Sequence, residues 1–206
     1  MLGHFERFLA SIPLAAEPPG FSELAIRAVN PSETPFQEHD LRGQALTPGE
    51  ITELAREHFS SDICLELEAN WDMWVHDAES MSWTQKPQRL SIDCFGPDYD
   101  QGTLTDSENL LVDLGFEHLF TGHAGLLGTE HSGVADPQHP DEARFLLWMS
   151  RPDNLREYHA KTRENIQKLL DWMRAAEIAL PLERTRLWSE GEENFEARLD
   201  EILAVR

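Results

Sequence analysis

Positive charge is what this sequence has least of. Its 206 residues hold 17 lysines and arginines against 38 aspartates and glutamates, a formal net charge of −21, and lysine occurs only at Lys86, Lys161 and Lys168. A field of that sign repels phosphate backbones and anionic membranes and draws cationic partners inward. Direct nucleic-acid binding and membrane-surface binding are therefore not expected. A basic protein is the expected partner, bound in the manner of an immunity or inhibitor protein.

Cysteine is scarce too. Two in the whole chain make no disulfide framework. In DICLELE the apolar face is Ile63, Leu65 and Leu67, which turns Cys64 to the other side; in RLSIDCF, Cys94 shares the apolar face with Leu90 and Ile92. Both thiols are expected to be reduced, with Cys94 buried and inert. Long apolar runs are missing as well, and nowhere are there the roughly 18 residues a membrane span requires. The stretch MLGHFERFLASIPLAAEPPGF is interrupted by His4, Glu6 and Arg7, unlike a secretory leader. A cytoplasmic protein is expected.

Compact catalytic motifs are the last absence. There is no G-x-S-x-G, no P-loop, no G-x-G-x-x-G and no H-E-x-x-H. Gly122, Gly125 and Gly128 have no lysine nearby and read as turn residues.

What is present describes a folded globule. The chain is 40% hydrophobic with six tryptophans, which argues against disorder, and its length is enough to bury a core. A single domain over 1–206 is expected, with residues 1–20 as a helical and proline-rich lead-in and 150–206 as its helical C-terminal part.

Periodicity supplies the elements. Residues 4–11 suit a short amphipathic helix with Phe5, Phe8 and Leu9 on one side. FSELAIRAV alternates as a strand, and NPSETPFQEHDLRGQ reads as a surface connection. Thr47, Pro48 and Glu50 mark the start of a helix that carries Ile51, Leu54, Ala55 and Phe59. Four further strands are expected: 62–74, Arg89–Phe95 after an irregular stretch at Pro87, ENLLVDLGFEHLF, and ARFLLWM. A long helix then runs from Ser150 towards Pro181. A last helix follows a capping box at Ser189–Glu192. The fold class is α+β: a mostly antiparallel sheet of about five strands, with one helix after the first strand and two C-terminal helices packed on it.

Two stretches could carry chemistry. The loop from His118 to His139 concentrates His118, His123, His131 and His139 near Glu117, Asp136 and Asp141, residue types that bind a divalent metal or move protons. Their spacing matches no compact ligand signature, and strand alternation through Phe116, His118 and Phe120 turns His118 away from His123. The second stretch is Trp71, Asp72 and Trp74, in an aromatic cluster with Trp83. With Asp98 and Asp100 it forms the candidate surface for a basic partner, since tryptophans anchor interfaces. The leading expectation is a non-catalytic binding protein without cofactor. The alternative is a small metal-dependent or acid–base enzyme with its site in the loop 118–139. A homodimer built on the tryptophan face is a third.

Overall fold

The computed structural model describes residues 1–17, 20–77, 80–103, 109–123, 126–127 and 139–205. Six helices and five strands follow one another as α1 (Leu2–Ser11), β1 (Phe21–Ala28), β2 (Gln37–Asp40), α2 (Pro48–Arg56), β3 (Ile63–Asp77), β4 (Ser82–Phe95), β5 (Leu110–Asp113), α3 (His118–Thr121), α4 (Pro140–Met149), α5 (Pro152–Ala179) and α6 (Phe195–Ala204). The sheet order is β2-β1-β3-β4-β5. This is an α+β fold with a five-stranded antiparallel sheet. No helix among the described residues is long and apolar enough to cross a membrane.

The chain forms two compact units. The first is Met1–Asp72, Pro87–Gly115 and Arg174–Pro181; the second is Met73–Lys86, Phe116–Met173 and Leu182–Arg206.

In the first unit, β1 pairs antiparallel with both β2 and β3, and its register sets Leu24 opposite Leu67 and Ile26 opposite Leu65. These four, with Leu90 and Ile92 of β4, are fully buried. Alternation sends the intervening residues to the other face, where Arg27 donates through Nη2 to Glu66 at 2.8 Å and Arg89 pairs with Glu68. Cys64 lies on that face beside Phe95 and Tyr99. Both cysteines are free and buried. Burial pushes the Cys64 thiol far up and that of Cys94 up to about 12, so neither forms a thiolate readily. Helices α1 and α2 pack on each other. The capping box expected at Thr47 and Glu50 is formed in both directions.

Gly96 shows why the end of β4 needs a residue without a side chain. Its N–H donates to the Ile63 carbonyl at 2.7 Å, and a Cβ there would stand 2.3 Å from the Ser61 carbonyl oxygen.

Several expected elements are corrected. The connection NPSETPFQEHDLRGQ contains strand β2, which takes the place of ARFLLWM in the count of five; ARFLLWM lies in helix α4. There the His139 Nδ1 accepts the Asp141 N–H at 3.2 Å, Pro140 opens the first turn, and Asp141 and Glu142 complement the helix dipole. The helix expected after the first strand comes after the second, while the helix expected at 4–11 forms as α1. Four helices follow the sheet instead of two. Strand β4 runs unbroken through Pro87, because β5 pairs only with Ser91 to Cys94 and leaves Pro87 beyond the paired stretch. The strand expected through Phe120 stops at Asp113, whose carboxylate accepts the Gly115 N–H at 2.9 Å. Gly115 is left-handed at φ +83, which redirects the chain into α3. Finally, α6 is capped by Asn194, whose Oδ1 accepts the Ala197 N–H at 3.1 Å. Ser189 accepts the Gly191 and Glu192 N–H groups but starts no helix.

Candidate functional site

The second unit holds an open cavity of about 440 Å³, within the range of small-molecule sites. Each wall comes from a different element. The end of β3 supplies Trp74, Val75 and His76, and the start of β4 supplies Trp83. Helix α3 gives His118 and Leu119, and the chain just past it gives His123. The opening of α4 brings His139, Asp141, Glu142 and Phe145. One face of α5 brings Tyr158, Thr162 and Asn165 at i, i+4 and i+7.

Asn165 is the fixed point of this wall. Buried to 3% exposure, it accepts the Trp74 N–H at 2.8 Å and donates to the carbonyls of Trp74 and Leu119, each at 3.0 Å. Tyr158 plays a similar part for the loop after α3, its hydroxyl accepting the His123 N–H at 2.6 Å. Burial is the main cause that raises the Tyr158 hydroxyl to about 12.

Aromatic rings make up much of the lining. Trp83 stacks on Tyr158 with centroids 5.2 Å apart, and Phe145 meets Tyr158 edge-on at 5.8 Å. His76 is boxed by Trp83 at 5.2 Å, Phe145 at 5.2 Å and Trp148 at 4.9 Å. Its buried Nε2 and the buried Nε1 of Trp83 have no hydrogen-bond partner among the described residues. Desolvation lowers the pKa of His76. It does the same to His118, helped by the nearby His123 ring, whose centroid is 6.4 Å away. Both imidazoles are thus held in the neutral form, in which a ring nitrogen can accept a proton. Across from them, the His123 Nε2 lies 3.7 Å from the Glu142 Oε1. Asp141 pairs with Arg144 at 3.2 Å.

Of the histidines named from sequence, His118, His123 and His139 line this one cavity, and with them Asp141. His131 and Asp136 lie outside the described residues. No group of three or more His, Cys, Asp or Glu stands at metal-ligating distances among the described residues. Glu117 is turned to another task, accepting from the Ser189 hydroxyl. A strand through Phe120 would hold His118 and His123 on opposite faces; in α3, ended by Gly122 at φ +80, and the turn after it their ring centroids come within 6.4 Å.

The candidate partner residues fare differently. Trp71 is fully buried in the first unit, and Asp72 accepts the Ala16 N–H at 3.4 Å. Asp98 is exposed and Asp100 half-buried at the short 3₁₀ turn Tyr99–Gly102. Trp74 belongs to the cavity wall, its indole N–H donating to Glu164 at 2.5 Å under the Lys161 ammonium, 3.6 Å from the ring centroid.

Sequence reasoning missed His76, Glu142, Phe145, Tyr158 and Asn165 as site residues; Trp83 was read only as part of an aromatic cluster with Trp71 and Trp74. The available signal was on α5, where Thr162 and Asn165 interrupt an otherwise apolar stripe.

Comparison of the chain with protein-family models, with curated proteins and with solved structures finds no match.

Proposed function

We propose that this protein is a small acid–base enzyme that takes an organic molecule into the cavity of its second unit and moves a proton on it. One observation carries the reading: His118, His123 and Glu142 converge on a single aromatic-walled cavity. His123 is the base. Glu142, 3.7 Å from its Nε2, stabilises by its charge the imidazolium that forms. His118, kept neutral by burial, is the second proton acceptor.

The test uses 5-nitrobenzisoxazole, a neutral bicyclic compound whose ring opens when its C3 proton is removed. The protein is expected to open it faster than the same concentration of free imidazole. His123→Ala should lower that excess by about 10²-fold. No excess over imidazole, or an excess unchanged in both His123→Ala and His118→Ala, counts against the assignment.

A second reading, binding of a basic protein, is favoured by the net charge of −21 together with the exposed carboxylate of Asp98. Salt-sensitive binding of polylysine that weakens in Asp98→Asn would bring it forward.

A further inference from the structure

We propose that the molecule bound in this cavity is a small organic cation, a protonated amine carried on an aromatic or alicyclic body. The proposal rests on the small-molecule reading above and narrows it to a chemical class.

The charge of the lining points one way. Among the described residues it contains two carboxylates and neither lysine nor arginine, and the sequence from His118 to His139 contains no lysine or arginine either. Among the described lining residues an anionic ligand would meet no lysine or arginine, the nearby Arg144 and Lys161 being engaged with Asp141 and Glu164, and it would have to approach carboxylates. A phosphate or carboxylate is thereby disfavoured. Of the two acids, Asp141 is largely exposed and paired with Arg144. The Glu142 side chain is 28% exposed and stands 3.7 Å from the His123 ring, and a carboxylate has acceptor sites for more than one donor. An ammonium group seated there could donate to the carboxylate while its body lies among the rings.

The rings point the same way. Cations are drawn to the faces of tryptophan and tyrosine, and Trp83 and Tyr158 lie stacked in the wall with Phe145 edge-on to Tyr158. The unit already uses this interaction once, with Lys161 over Trp74. His76 and His118 add no opposing charge, since burial holds them neutral. At long range the charge of −21 raises the local concentration of cations.

The experiment compares three probes that share a naphthalene ring and differ in charge: 2-naphthylmethylamine, 2-naphthylmethanol and 2-naphthoate. Each is titrated into the full chain by calorimetry at neutral pH and moderate salt. The amine should bind one site at least about tenfold more tightly than the alcohol, and the naphthoate should not bind. In Glu142→Gln the amine-to-alcohol ratio should fall to about one. Val75→Trp, which fills the cavity, should abolish binding of both. If the alcohol binds as tightly as the amine, or the preference survives in Glu142→Gln, the cation proposal is overturned while the cavity stands as a small-molecule site. If binding survives in Val75→Trp, the amine is held elsewhere on the acidic surface and the proposal is likewise overturned. If none of the three probes binds, the small-molecule reading fails with it.

Discussion

Asn165 holds both backbone polar groups of Trp74: its Oδ1 accepts the Trp74 N–H at 2.8 Å and its Nδ2 donates to the Trp74 carbonyl at 3.0 Å. The second Nδ2 proton goes to the Leu119 carbonyl, so one side chain joins β3, α3 and α5 at the cavity wall. Asn165→Leu keeps the volume and removes all three bonds in a site nearly closed to water. The expected loss is about 2–4 kcal/mol, because three backbone groups are left without partners. Chemical denaturation checks it; a loss under about 0.5 kcal/mol would mean that water replaces the amide without cost.

Gly96 and Gly3 should respond to alanine in opposite directions. At Gly96 a Cβ meets the Ser61 carbonyl oxygen at 2.3 Å and the Ile63 carbonyl oxygen at 2.9 Å, backbone atoms that cannot swing aside. Gly96→Ala is expected to cost at least about 2 kcal/mol. Gly3 lies in α1 with nothing within 4 Å of its would-be Cβ. There alanine lowers the entropy of the unfolded chain, and a gain of about 0.5 kcal/mol is expected. Melting curves of the two variants decide the matter, and equal effects would contradict the packing described at Ser61.

Asp93 is held in an unfavourable place for a charge. Burial, and then the carboxylates of Glu66 and Glu68, raise its pKa from 3.8 to about 6. The folded state therefore binds this proton more tightly than the unfolded chain does. The stability Asp93 contributes is complete below its ordinary value and is lost as pH rises through about 6. Asp93→Asn should raise stability at pH 7 by about 1 kcal/mol after allowance for solvent screening. It should change nothing at pH 3.5. Urea midpoints at the two pH values would show it.

Strands and helices with strong local grammar were legible in the sequence. FSELAIRAV and DICLELE alternate cleanly, and T-P-G-E announces α2. What stayed hidden depended on short signals overruled by neighbours. ARFLLWM looks β-compatible alone, yet Pro140, Asp141 and Glu142 in front of it spell a helix start. LLVDLGFEHLF continues an apolar pattern across Gly115, but the Asp113 carboxylate and the left-handed glycine end the strand. That single misreading separated His118 from His123. Three of the five unit boundaries fall inside β3, β4 and α5, where the chain runs on in one element and no linker marks them. The cavity draws on five separate stretches of chain, and only two of them lie in the histidine-rich region that attracted notice. Local pattern carries no information about such a meeting.

The two units should answer a change of pH in opposite senses. His76 and His118 have pKa values lowered chiefly by burial. Their contribution is present above the ordinary imidazole value of about 6.5 and is lost as pH falls through their folded values, because protonation then requires a charge among apolar rings. Asp93 behaves in reverse over an overlapping window, since protonation near pH 6 relieves its repulsion from Glu66 and Glu68. Going from pH 7 to pH 5 should thus weaken protection in the second unit and strengthen it in the first. Hydrogen exchange followed by mass spectrometry, corrected for the intrinsic pH dependence of exchange, reads the two separately. Peptides covering Ile63–Leu67 report the first unit and peptides covering Tyr158–Trp172 the second. His76→Phe should remove part of the acid loss in the second unit alone, and Asp93→Asn should remove the gain in the first alone. A parallel change in both units, insensitive to either variant, would show that neither group governs the pH response.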